Sequence, residues 1–142
     1  MTPDEALQAT LAAEHAAVFA YAELGGRVST SQSPTAATAL RAAYDVHRER
    51  RDHLRTLITQ RGGRPTPPAP GYRVPAASRR TPQLLAVARS LEERSAEVYA
   101  QLVASSVGET RRWAVAALED SAVRGLGFGA GAEAFPGAPE LT

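Results

Sequence analysis

Three times in this chain a polar, ionisable residue stands at the centre of a heptad whose flanking positions are large and mainly apolar: Leu7, Glu14, Tyr21; Leu40, His47, Leu54; and Leu85, Glu92, Tyr99. Residues seven apart share one face of an α-helix, so each triplet describes a helix that buries a carboxylate or an imidazole along with its apolar stripe. Such a group costs several kcal/mol in a low-dielectric core unless it is paired, hydrogen-bonded or metal-bound. The chain must therefore bring helices together so that Glu14, His47 and Glu92 compensate one another or share a ligand. That makes them the candidate site.

Helix boundaries are marked by short-range signals. Thr2-Pro3, Ser33-Pro34 and Thr81-Pro82 each place a capping hydroxyl before a proline suited to the first helical turn, and Thr2 with Glu5 forms a capping box. Gly25-Gly26, Gly62-Gly63 and Gly108 read as stops. A fourth helix follows Gly108, with Val115, Leu118, Ala122 and Leu126 as its apolar stripe, and fails where glycines crowd from Gly125 to Gly131. The expected helices are about 3–25, 34–62, 82–107 and 109–125, within a bundle domain of residues 1–126. No segment alternates like a strand.

Connection lengths set the topology. Short links join helices one and two, and three and four, so each pair is expected to be an antiparallel hairpin. Residues 63–81 are proline-rich and long enough to cross a bundle lengthwise, which makes helices two and three parallel. The triplets of helices one and three form a weak internal repeat at about half the chain's length. The fold class expected is all-α: a four-helix bundle of two hairpins and a long crossover. Residues 127–142, rich in Gly, Ala and Pro, read as a flexible tail in which Phe128, Phe135 and Leu141 are able to dock on the bundle or on a second subunit.

Composition removes several function classes. Sixteen basic and 15 acidic residues leave a net charge of +1, which argues against nucleic acid as a partner. With no cysteine there is no disulfide, thiolate nucleophile or Cys-ligated metal. The N-terminus is acidic and no long apolar run exists, so no membrane is expected and the location expected is the cytoplasm. The glycines of 125–131 follow a helix and lack the Lys-Ser/Thr pair of a phosphate loop. His15 lies about 100° from Glu14 around its helix and should flank the core. Glu49 and His53 share a solvated face with Arg50, and Trp113 should anchor a core or an interface.

The segments Leu11–Tyr21, Ala43–Asp52 and Leu91–Tyr99 together resemble an alanine-rich, ferritin-like family of unknown function, over roughly residues 3–124. The wider ferritin-like class holds two irons with single glutamates from two helices and a Glu-x-x-His pair from each of the others. By that resemblance Glu14 and Glu92 match the single carboxylates, His47 the imidazole of helix two and Glu119 the carboxylate of helix four. Tyr44 stands where the glutamate before His47 would be, and Ala122 where the second histidine would be. The resemblance thus implies a bundle without a complete di-iron site.

Two readings of the polar layer remain open. In one, Arg51, a turn beyond His47, neutralises Glu14 or Glu92, and Tyr21, Tyr44 and Tyr99 donate hydrogen bonds, so that the layer is structural or binds a small ligand and no cofactor is needed. In the other, Glu14, His47, Glu92 and Glu119 hold iron or manganese in a divergent oxidoreductase or iron-handling protein. A homodimer is expected in either case, and the proline-rich crossover and apolar tail leave room for a protein-interaction module.

Overall fold

The computed structural model describes residues 1–75 and 79–141; residues 76–78 of the expected crossover and Thr142 of the expected tail lie outside them. Four helices, α1 Pro3–Arg27, α2 Pro34–Gln60, α3 Thr81–Ser105 and α4 Gly108–Gly127, are followed by a short 3-10 turn, Pro139–Leu141. No strand occurs among the described residues.

The helices pack as an all-α bundle, and the side chains fix their directions. Leu7 and Leu11 of α1 meet Leu54 and Ile58 of α2, Tyr99 and Leu102 of α3, and Ala114 and Ala117 of α4 at one end. At the other, Tyr21 and Leu24 meet Leu40 and Ala43, Leu84 and Ala88, and Phe128 just beyond α4. Each hairpin is therefore antiparallel, while α2 and α3 run parallel. Between these two apolar clusters lie the buried Glu14, His47 and Glu92.

The crossover returns along α1. The Gln8 amide donates to the Arg64 carbonyl at 2.8 Å and accepts from the Thr66 backbone N–H at 2.9 Å. His15 Nε2–H donates to the Thr66 carbonyl at 3.0 Å, and the Phe19 ring packs 5.4 Å from that of Tyr72. His15 thus holds the crossover from just outside the core.

Several local signals resolve differently from their sequence reading. Thr2 and Glu5 do form the capping box. Ser33 and Thr81, read as side-chain caps, instead bond to each other through their hydroxyls at 2.7 Å, which ties the starts of α2 and α3 together. The helix α1 runs through Gly25-Gly26 to Arg27, because Leu24 and Val28 on either side are held in the second apolar cluster. Gly62, at φ 80°, ends α2 with Gly62 N–H bonded to the Thr59 carbonyl and Gly63 N–H to that of Ile58. Gly108 opens α4, and α3 has already ended at Ser105.

The largest difference is the rotation of α4. Its buried face is Ala114, Ala117, Ser121 and Gly125, one residue away from the expected stripe, and Val115 and Leu126 are left 37% and 46% exposed. Small residues let α4 approach closely: a side chain begun at Gly125 would lie 3.5 Å from Glu92 Cβ. Hydrophobic size alone suggested the other face, but a charged partner on α2, described below, pulls this one inward.

The expected tail is partly packed. Phe128 is buried against the Tyr21 ring, whereas Phe135 and Leu141 are exposed. Gly137, at φ 79°, passes so close to the Ala96 carbonyl that any Cβ there would overlap it, and this lays the segment across α3.

Candidate functional site

Each heptad carries its central residue to mid-bundle, where the three meet. His47 Nδ1 lies 2.6 Å from Glu14 Oε2, and Nε2 lies 3.0 Å from Glu92 Oε1, so the imidazole bridges α1 and α3 from α2. Both contacts are to carboxyl oxygens, and an ionised carboxylate only accepts, so against two ionised partners the ring donates from both nitrogens as an imidazolium. Tyr99 donates to Glu14 Oε1 at 2.6 Å and Tyr21 to Glu92 Oε1 at 2.5 Å. Tyr21 also stacks on the His47 ring, with centroids 5.2 Å apart.

The electrostatics agree with this protonation. Burial alone would lower the His47 pKa, but the Glu14 charge and the bonds to both carboxylates overcome it and raise the pKa to about 9. Glu92 is pushed up by burial and pulled down further by His47, Tyr21 and Arg124, so that its carboxyl stays below the usual range. Burial and the adjacent carboxylates drive both phenols well above theirs, which keeps Tyr21 and Tyr99 as donors.

A second ion network continues the layer toward α4. Arg50, buried on α2, donates to Asp120 at 2.5 Å, the Ala117 carbonyl at 3.0 Å and Ser121 at 2.9 Å, and its guanidinium lies 5.2 Å from the Tyr99 ring centre. Arg124 grips Asp120 at 2.7 and 3.2 Å and stands 3.9 Å from Glu92 Oε2. Glu14, Glu92 and Asp120 are thereby matched by His47, Arg50 and Arg124, three anions against three cations.

The structure brings together Glu14, Tyr21, His47, Glu92 and Tyr99, and leaves three expected members outside. Arg51 is half-buried and pairs with its neighbour Asp52, so Arg50 is the buried arginine. Both positions lie one turn beyond His47; the i+3 position faces Asp120 on α4, and the i+4 position faces the crossover. Tyr44 lies a turn before the layer under the Arg48 guanidinium. Glu119 is exposed, since the rotation of α4 turns Asp120 and Ser121 toward Arg50. Asp120 and Arg124 were missed, although their i,i+4 spacing is a visible ion-pair signal. Glu49 and His53 lie on the exposed face; the His53 ring packs 4.5 Å from Trp113, which in turn meets Tyr99 edge-on at 5.5 Å.

Both ring nitrogens of His47 are engaged by carboxylates, and among the described residues no group of three or more His, Asp or Glu side chains is arranged to hold a metal ion. A cavity of about 490 Å³ lies beside the layer between α3, α4 and the chain after Phe128, with Glu92 in its wall. Among the described residues, Glu92 Oε2 is the buried side-chain polar atom that forms no hydrogen bond. No helix among the described residues is long and apolar enough to cross a membrane.

Residues 6–140 match a family described as a domain of unknown function (DUF4439). The fold is similar to the crystal structure of a conserved hypothetical protein, rv2844, from Mycobacterium tuberculosis, at 25% identity and a TM-score of 0.80, covering 89% of this chain and 93% of that one. Among curated proteins none matches the chain.

Proposed function

The chain belongs to the DUF4439 family, whose membership brings no known activity, and we propose that it is a ferritin-like bundle in which a carboxylate–imidazolium–carboxylate bridge stands where relatives of the wider class hold metal. The protein is then not an enzyme but a binding scaffold, its polar layer setting helix register and bordering a small-ligand cavity. The observation that supports this best is His47, engaged by Glu14 at 2.6 Å and by Glu92 at 3.0 Å. A metal at His47 must displace a proton and a buried ion pair together, with Arg124 repelling it from 3.9 Å beyond Glu92. Buried charge in this arrangement specifies which helices meet, and at what height.

Elemental analysis of protein from iron- and manganese-supplemented cultures tests this reading. Metal well below stoichiometric, with two ring N–H signals for His47 at neutral pH in nitrogen-15 NMR, is the expected result. Stoichiometric iron or manganese, lost in the Glu14→Ala, Glu92→Ala double variant, would instead establish the oxidoreductase or iron-handling reading, for which the unbonded Glu92 Oε2 is the favourable observation. We further propose a homodimer through the face of α4 that exposes Val115, Val123 and Leu126; a monomeric mass in sedimentation at micromolar concentration would remove it.

A further inference from the structure

On the outer side of the α1–α2 hairpin, His15, Val18, Ala22 and Gly25 follow one another at spacings of three and four along α1, and Arg41, Tyr44, Arg48, Arg51 and Arg55 do the same along α2. Each spacing keeps its residues on one helix face. Because the helices are antiparallel, the two lines border one valley. It contains two hollows of about 760 and 660 Å³. The first holds Ala22, Gly25, Arg41, Tyr44 and Arg48; the second holds His15, Val18, Phe19, Arg51 and Arg55, with the crossover from Arg64 to Tyr72 as its far wall. Ala22 is one turn from Val18 and Arg48 one turn from Arg51, so the hollows adjoin, and at 1.5 Å per residue the arginine line is about 21 Å long.

The charge of this valley is one-sided. Among the described residues five arginines and no acidic side chain line the two hollows. Arg41 stands 3.9 Å from Asp45 and Arg51 2.8 Å from Asp52, both pairs at the surface, and the Arg48 guanidinium lies over the Tyr44 ring at 5.7 Å. Arg48, Arg55 and Arg64 form no ion pair among the described residues. Like charges one turn apart on a helix repel, so the line weakens α2 by itself and an anionic partner relieves it. The floor between the walls is small and apolar, with Val18 half-buried and Ala22 exposed, and the Phe19 ring, 38% exposed beside Tyr72, extends it toward the crossover.

We propose that this valley binds an acidic peptide segment of a partner protein, its carboxylates held by Arg48, Arg51, Arg55 and Arg64 and its apolar side chains laid on Val18, Phe19 and Ala22. Guanidinium forks match carboxylates bidentately, and the length of the line suits about six residues of extended chain. A nucleic acid fits less well. Asp45, Glu49 and Asp52 run beside the arginines on the next face of α2, turned further from the core, and a broad polyanion meets that acidic row where a single peptide strand does not. None of these contacts belongs to the polar layer, so the proposal does not depend on what His47 bridges.

The test is fluorescence anisotropy of a labelled peptide of about seven residues that alternates glutamate with leucine or phenylalanine. The same peptide with glutamine for each glutamate and an oligothymidylate of equal charge are the comparisons. Saturable binding of the acidic peptide that weakens with added salt, at least tenfold weaker binding of the glutamine peptide, and nitrogen-15 amide shifts at Val18, Ala22, Arg48 and Arg55 are expected. Arg48→Gln with Arg55→Gln alters two exposed positions and should weaken the peptide roughly three- to tenfold, as the loss of two exposed ion pairs does. Arg111→Gln with Arg112→Gln, exposed on α4, should leave it unchanged. Equal affinity for the glutamine peptide, equal losses in the two double variants, shifts confined to other surfaces, or no saturation would overturn the proposal. So would tighter binding of the oligothymidylate, which gives the valley to nucleic acid, or a dimer that Arg48→Gln with Arg55→Gln dissociates, which gives it to a second copy of the chain.

Discussion

Glu14 and Glu92 occupy equivalent places in the two halves of the bundle, and their surroundings differ at one atom. The tyrosine one heptad beyond each glutamate bonds the other's carboxylate: Tyr99 donates to Glu14, and Tyr21 to Glu92. That exchange follows from the weak repeat, because antiparallel α1 and α3 carry the same Glu-to-Tyr spacing past each other. On Glu14 the tyrosine and the histidine take separate oxygens; on Glu92 they share one, and the other faces Arg124 at 3.9 Å. A repeated motif thus determines who pairs with whom, and the nonrepeated helix α4 determines which carboxylate is left incomplete.

Removing the cation that the two carboxylates share has the largest expected effect. His47→Ala leaves both buried without their cation, and the expected loss is roughly 3–5 kcal/mol in urea unfolding, enough to leave a domain of ordinary stability largely unfolded. A variant that unfolds within about 1 kcal/mol of the parent would show that the bridge does not hold the helices together.

Titrating the same ring is the next largest effect. In the unfolded chain His47 loses its proton near its ordinary 6.5, and in the fold near 9. Its contribution is complete below about pH 6.5 and disappears as pH rises through 9, a fall of roughly 3 kcal/mol at most. Glu92, held below its ordinary 4.5, contributes above that pH and ceases to as pH falls through its lowered value. Urea midpoints should therefore be highest between about pH 4.5 and 6.5. A midpoint unchanged from pH 6 to 9.5 would contradict a protonated bridge.

Single-atom replacements sharpen the difference between the two halves. Glu14→Gln sets an amide donor against Tyr99 or His47 and should cost about 2 kcal/mol, whereas Glu92→Gln is able to place that donor at the unbonded oxygen and should cost about 1 kcal/mol. Equal losses would mean that Oε2 is satisfied in solution. The smallest expected contrast lies in the phenols: Tyr99→Phe empties Glu14 Oε1 and should cost about 1–2 kcal/mol, while Tyr21→Phe leaves His47 on Glu92 Oε1 and should cost under about 1 kcal/mol. Thermal unfolding of the pair in one buffer measures it.

Much of this layer is legible in the sequence. Glu14, His47, Glu92, Tyr21 and Tyr99 stand out because a heptad is a property of one helix, and an inward polar residue breaks an apolar stripe visibly. The errors share a cause. Arg50 and Arg51 are both one turn from His47, and spacing along α2 does not reveal that Asp120 waits on the i+3 side. The stripe Val115, Leu118, Ala122, Leu126 was the more hydrophobic face of α4, yet the ion network and the small residues Ala114, Ala117, Ser121 and Gly125 rotate the helix by one position. Ser33 and Thr81 likewise carried a correct signal for where helices begin, but their hydroxyls found each other.

The chain's sequence alone determined the number of helices, their approximate limits, their antiparallel and parallel order, and the presence of ionisable groups at mid-height, because caps, periodicity and link lengths act over a few residues. Tertiary packing decided the rotation of α4, the choice of Arg50 over Arg51, the double engagement of His47 and the oxygen of Glu92 that is buried beside Arg124 without a hydrogen bond. Those depend on which faces meet across the bundle, where a shift of one residue turns a helix by about 100° and exchanges one set of partners for another.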